Sequence, residues 1–305
     1  MRGWCVVSVA ALALGPAGQT RGASPAASTI LRTESASNVF FARATINGAG
    51  PFWFTIDTGA TLTVIDPAAA RRAGLPVRDA GRRSNVGIAS ADTSMATTAG
   101  ARIDIPGLPP FSPPTLYVVP VRASAGPLGH AIDGVLGTDV LSGRVVEFDY
   151  GGARVRVRPS TGADPPNRKA SVVFSLEGNV LIAPGTLTLP DGERVIARLL
   201  VDTGSNGALT LTSPFVRRHN LVARFPSRQM NLAIGINGTA TSPVVALAAL
   251  AFGDAVIRAP NAALSQATAG LDASTDFDGI VGAELLKQFT LTIDYPRRRL
   301  VLSAQ

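Results

Sequence analysis

Two short segments of this 305-residue chain carry residues that could do chemistry together. Each is an apolar run ending in Asp-Thr-Gly: Phe54-Thr55-Ile56-Asp57-Thr58-Gly59-Ala60 and Leu199-Leu200-Val201-Asp202-Thr203-Gly204-Ser205. One Asp-Thr-Gly says little, because an aspartate in a turn at a strand end is ordinary turn chemistry. Two carboxyls side by side are another matter. Like charges in contact cannot both ionise cheaply, so the pair shares one proton and titrates as a unit. Such a pair can hold a water. The ionised member takes the water's proton, the protonated member polarises a carbonyl, and attack gives a tetrahedral intermediate. This chemistry needs no metal, nucleotide or covalent intermediate, so neither a cofactor nor a metal site is expected.

The pairing is implied by an internal duplication. Asp133-Gly134-Val135-Leu136-Gly137 matches Asp278-Gly279-Ile280-Val281-Gly282, and Asp149-Tyr150 matches Asp294-Tyr295. Asp57 stands 77 residues before Gly134 and 92 before Asp149; Asp202 stands 77 before Gly279 and 92 before Asp294. The offset between the copies is 145 residues at each anchor. Arg71-Arg72 recurs as Arg217-Arg218, and Val86-Gly87-Ile88 as Ile234-Gly235-Ile236. Asn47-Gly48 and Asp191-Gly192 read as hairpin turns leading into each Asp-Thr-Gly. Two copies of one unit, 36–158 and 171–303, are expected to form a pseudo-two-fold pair of lobes joined by the Pro- and Gly-bearing stretch 159–170. Asp133, Asp278, Asp149 and Asp294 read as structural turn residues.

With those residues in view, the chain resembles the aspartic peptidase superfamily, which includes pepsin and the retroviral proteases, and the resemblance spans both halves. Asp57-Thr58-Gly59-Ala60 is similar to the retroviral form of the motif and Asp202-Thr203-Gly204-Ser205 to the pepsin form. The resemblance implies an all-β, bilobal acid-protease fold with two pseudo-symmetric retropepsin-like lobes, in the manner of two retroviral-type subunits fused in one chain. It implies Asp57 and Asp202 as the catalytic pair. Thr58 and Thr203 would bond across the axis, Gly59 and Gly204 would offer N–H groups to the carboxylates, and Ser205 could hydrogen-bond the outer oxygen of Asp202. Gly87 and Ile88 in one half, and Gly235 and Ile236 in the other, are flap candidates over the cleft. A pepsin-type flap tyrosine is absent from 84–94, so pepsin's specificity does not carry over. The activity implied is that of an aspartic endopeptidase acting as a monomer on a peptide or protein substrate. The alternative is a catalytically weak or inactive peptide-binding protein of the same fold.

Composition fits this reading. Hydrophobic residues make up 46% of the chain and charged residues 16%, with 31 Gly and 22 Pro, as in a turn-rich globular β protein. The net charge of +7 comes from scattered arginine pairs without interleaved aromatics, which describes a solvated surface and not a nucleic-acid footprint. His130 and His219 have no counterparts in the opposite half and no metal-ligand spacing, so both read as surface or loop residues. A subtilisin-type triad, another setting for Asp-Thr-Gly, lacks its glycine-rich histidine motif here and leaves the second Asp-Thr-Gly unexplained. A positive start at Arg2, an apolar stretch from Trp4 to Leu14 and small residues up to Ala27 have the layout of a removable signal peptide over 1–27. The sole cysteine, Cys5, lies inside it. The expectation is an exported, periplasmic or secreted protein with no stable membrane insertion.

Overall fold

The computed structural model describes residues 4–6, 28–84, 92–160, 171–236 and 238–305. Nearly all regular structure is strand, arranged in three sheets. A nine-stranded sheet is built from the first half, an eleven-stranded sheet from the second together with Trp4–Val6, and a six-stranded sheet takes its strands from both. The result is a two-lobed, all-β architecture.

The sequence dictates how each lobe begins. Val39–Ile46 and Ala49–Ile56 are apolar, β-branched and aromatic runs that pair antiparallel across Asn47-Gly48. Both turn residues have positive φ, 51° and 81°, the backbone that Asn and Gly adopt at low cost in a two-residue hairpin. In the second lobe Val180–Thr188 and Arg194–Asp202 pair the same way around Gly192. The second strand of each hairpin runs into an Asp-Thr-Gly.

The apolar-apolar-Gly elements then lock those strands. Gly134–Leu136 pairs parallel with Phe54–Ile56 and antiparallel with Val64–Ile65. Gly279–Gly282 pairs parallel with Leu199–Asp202 and antiparallel with Leu209–Leu211. Each strand end that runs into an Asp-Thr-Gly is thus held from the side by a buried strand. Asp133 and Asp278, which open these elements, behave as tethers. Asp133 accepts from the Trp53 N–H and from Arg72 and Arg122; Asp278 accepts from the Arg198 N–H and from Arg218. Burial works to raise the Asp133 carboxyl, but the Trp53 N–H and the two guanidiniums outweigh it and leave it below the usual carboxylate range.

The six-stranded sheet runs beneath both lobes. At its centre Val145–Asp149 pairs antiparallel with Phe289–Asp294, with Glu147 opposite Thr292, its own counterpart in the duplication. The local two-fold axis therefore passes through that pair. Arg154–Arg158 and Thr29–Leu31 continue the sheet on one side, Arg299–Ala304 and Ser171–Val173 on the other. A single buried cluster runs from this sheet into both lobes, joining Phe40, Phe54 and Phe148 to Phe215, Leu291 and Tyr295. Burying that much contiguous apolar surface is the main favourable term for the fold.

Candidate active site

The two Asp-Thr-Gly turns meet at the axis. Thr58 Oγ1 donates to the Val201 carbonyl at 2.6 Å and accepts from the Thr203 N–H at 3.1 Å. Thr203 Oγ1 donates to the Ile56 carbonyl at 2.8 Å and accepts from the Thr58 N–H at 3.2 Å. Each threonine thereby completes the backbone of the opposite loop, where no regular ladder is available. Both side chains are buried, so these four bonds exchange with no water.

The grip fixes the carboxyls. Gly59 N–H donates to Asp57 Oδ1 at 2.7 Å; Gly204 and Ser205 N–H groups donate to Asp202 Oδ1 at 2.9 and 3.0 Å. The Ala60 N–H also acts on Asp57. Gly204 lies flat against the other half: a Cβ placed on it would sit 2.4 Å from Asp57 Cγ, so no larger residue fits. Asp57 and Asp202 are both fully buried. Among the described residues, and leaving aside a proton shared with Asp202, no N–H or O–H is in place to donate to Asp57 Oδ2. The Asp202 carboxyl faces Asp57 closely enough to act as its hydrogen-bond partner, which requires that one of the two carry a proton. Burial first, and the Asp202 charge second, push the Asp57 carboxyl well above the usual carboxylate range.

Ser205 plays its part through its backbone. Its N–H holds Asp202 Oδ1 while its hydroxyl accepts from the Gly207 N–H at 3.2 Å, which differs from the hydroxyl-to-carboxylate contact expected from sequence. A tight turn after the aspartate brings the hydroxyl back onto its own loop. Of the flap residues, Gly87 and Ile88 lie outside the described residues, between the antiparallel strands Arg78–Ser84 and Asp92–Thr98. Gly235 and Ile236 sit at the tip of the hairpin formed by Met230–Gly235 and Gly238–Ala246. Ile236 reaches the first lobe and is buried in one cluster with Val39, Phe41, Ala60, Val64 and Met95. Trp4–Val6 pairs parallel with the outer edge of this hairpin, Cys5 opposite Ile234.

His130 lies in a bend outside the helices and strands, as expected of a loop residue, but its ring has specific partners. Its ring stacks on Phe41 at 4.0 Å and meets Trp53 edge-on at 4.8 Å, with Nε2 3.3 Å from Glu34 Oε2. It is a packed residue of the first lobe, because the aromatic run of the opening hairpin leaves a slot for a flat ring. His219 packs on Phe215 at 4.5 Å at the end of a short helix.

Sequence reasoning missed a crossed pair of clasps. Asn179, in the second lobe's first turn, donates to the Thr61 carbonyl at 3.2 Å and to Thr138 Oγ1 at 3.0 Å in the first lobe. Asn38, in the first lobe's equivalent turn, donates to Glu284 Oε2 at 3.1 Å in the second. The available signal, an asparagine in each turn at Ser37-Asn38 and Gly178-Asn179, implies a turn but names no partner.

Fold and site together define a bilobal all-β protein of acid-protease architecture, with one Asp-Thr-Gly loop from each half crossing at the axis. Residues 42–140 match the model of a family described as aspartyl protease, a match within the first lobe that supports a retropepsin-like aspartyl protease family. The matched span holds Asp57; Asp202 lies beyond it, in the copy that the duplication supplies. No curated protein matches the chain. Among the described residues, no helix is long and apolar enough to cross a membrane, and no cluster of three His, Cys, Asp or Glu is placed to hold a metal.

Proposed function

We propose that this chain is an aspartic endopeptidase in which Asp57 and Asp202, as one proton-sharing pair, activate a water against a peptide carbonyl. Asp57 is the member that holds the proton and polarises the carbonyl; Asp202, with two N–H donors on Oδ1, is the ionised member that takes the water's proton. The Thr58–Thr203 grip keeps the carboxyls in register, so little reorganisation accompanies the reaction. The peptide lies extended between the lobes, held by main-chain hydrogen bonds to a flap strand. The edge of Met230–Gly235 already accepts an extended segment, Trp4–Val6, in this way. Removal of residues 1–27 as a signal peptide, with export to the periplasm or medium, would free that edge for a substrate strand. The burial of both carboxylates and the seating of Ile236 in the first lobe describe a closed flap that must lift for a peptide to enter. One chain supplies both aspartates, so a monomer suffices.

The observation that carries the reading is the crossed contact of two duplicated loops, with both carboxyls at the crossing. The test is cleavage of a peptide library by the wild type, Asp57→Asn and Asp202→Asn at acidic and neutral pH. Either substitution is expected to lower kcat/KM by at least the roughly 10²–10⁴-fold typical of a lost general acid or base. A statine-type mimic should inhibit and a chelator should not. Full activity in either variant would overturn the shared-pair mechanism. Tight peptide binding with no cleavage by the wild type would leave a peptide-binding protein of this fold.

A further inference from the structure

Two of the chain's three tyrosines, Tyr150 and Tyr295, stand at equivalent positions of the duplication, each directly after the Asp that ends a central strand of the shared sheet. Side chains alternate along a strand. Tyr150 therefore shares a face with Phe148 and Val146, and Tyr295 with Ile293 and Leu291. The register pairs Phe148 with Leu291 and Val146 with Ile293, so the six residues form one surface symmetric about the axis. That surface lies on the same local axis at which the two Asp-Thr-Gly loops cross. Its members belong to, or pack against, the buried cluster that includes Ile56 and Val201, the residues immediately before the two aspartates.

Both phenol hydroxyls are buried, and neither has a hydrogen-bond partner among the described residues. The rings are well packed, Tyr150 on Phe40 with centroids 5.1 Å apart and Tyr295 on Phe174 at 5.9 Å. A phenylalanine would satisfy that packing without the penalty of an unpaired buried hydroxyl. Electrostatics supplies what packing does not. Burial, then the charge of Asp202, push Tyr150 above the usual phenol range; burial, then the charge of Asp57, do the same for Tyr295. Each hydroxyl thus stays protonated and feels the aspartate of the other half. The titratable groups acting on Asp57 and on these phenols are the two carboxyls. Arg144, whose carbonyl receives the Tyr295 N–H, turns its guanidinium to the Val140 carbonyl instead.

We propose that Tyr150 and Tyr295 are a crossed pair of positioning residues beneath the dyad, each orienting its O–H dipole toward the aspartate of the opposite half and so favouring the singly ionised pair. An O–H dipole with its hydrogen toward a carboxylate stabilises the anion. Losing it makes the pair hold protons more tightly, so both titration steps of the dyad move to higher pH.

The proposal rests on the dyad reading for its effect on catalysis but not for its test. Tyr150→Phe, Tyr295→Phe and the double variant keep the rings and remove only the hydroxyls. The carboxyl titration of Asp57 and Asp202 is followed by NMR with ¹³C-labelled aspartate, beside the pH profile of kcat/KM. Each hydroxyl removed should raise the dyad's apparent pKa values by about half a unit, the size expected for one modest hydrogen-bond or dipole term. The acid limb of the activity profile should move the same way. A double variant whose carboxyl titration overlays the wild type's overturns the proposal, even if its thermal stability changes. A shifted titration in a protein that cleaves nothing leaves this proposal standing and sinks the endopeptidase reading.

Discussion

The two halves of the molecule agree where the chain must do one thing twice and differ where it must tell two identical groups apart. The threonine grip, the aspartate tethers at Asp133 and Asp278, and the strands beneath the dyad are near copies. Around this common frame the halves part. The first half has Ala60 after its loop and a His130 wedged between Phe41 and Trp53. The second has Ser205 with its hydroxyl turned back to Gly207. Its hairpin tip, at Ile236, crosses into the other lobe. Symmetry brings the two loops together, and on the proposed mechanism departures from symmetry are what would let one carboxyl hold the proton while its twin stays charged.

The largest effect separating the two roles is expected at Asp57. A carboxyl whose pKa is raised in the folded state contributes stability fully below its unfolded pKa. That contribution is lost as pH rises through the folded value. For Asp57 the loss begins near the ordinary aspartate value of 3.8 and continues upward. Asp57→Asn keeps the acceptor for Gly59 and removes the cost of taking up a proton on folding. It should therefore be inactive yet more stable than wild type at pH 7, by roughly 1–3 kcal/mol, the size commonly associated with a poorly satisfied buried polar group. The gain should vanish below about pH 4, where the unfolded carboxyl is also protonated. Chemical denaturation at pH 3.5, 5 and 7 measures this. A gain independent of pH would remove Asp57 as the protonated member.

The grip should break symmetrically. Thr58→Val orphans the Val201 carbonyl and the Thr203 N–H, and Thr203→Val orphans the Ile56 carbonyl and the Thr58 N–H. Each should cost roughly 1–3 kcal/mol for buried groups left unpaired. The two losses should agree within about 0.5 kcal/mol, and the double variant should cost less than their sum because the loops are coupled. Urea unfolding midpoints give all three. A marked inequality would mean that one loop is held by something other than its twin.

Much of this frame was legible in the sequence because it rests on short local rules applied twice. Apolar runs ending in Asp-Thr-Gly, Asn-Gly and Asp-Gly turns and the spacing of the glycine elements each imply a local structure, and duplication implies the axis. What escaped depended on contacts between residues far apart that obey no local rule. His130 is a loop residue as expected, but nothing in Gly129-His130-Ala131 announces the ring contacts that Phe41 and Trp53 provide. The turn of the Ser205 hydroxyl toward Gly207 follows from loop geometry that residue type alone leaves open. The aspartate tethers were recognised as structural, but not their partners, since Arg72 and Arg218 reach them from a helix 60 or so residues away.

The interlobe clasps give the finest comparison. Asn38 and Asn179 both have positive φ, 66° and 70°, so glycine can replace either without backbone strain and only the side-chain bonds are lost. Asn179 donates to both the Thr61 carbonyl and Thr138 Oγ1. Its own carbonyl accepts from Thr138 at 2.6 Å, which ties the turn to a fully buried threonine. Asn38 bonds a single carboxylate oxygen that it shares with Lys287, whose Nζ lies 2.8 Å away near solvent. Asn179→Gly should therefore lower stability by about 1 kcal/mol, the net worth of buried hydrogen bonds, and Asn38→Gly by less than about 0.5 kcal/mol, as for an exposed polar contact. Added salt should reduce only the smaller loss, because only that clasp depends on an exposed charge. Equal losses, or a salt effect at Asn179, would show that the two clasps share one mechanism and that the second lobe's turn is not the tighter lock on the first lobe.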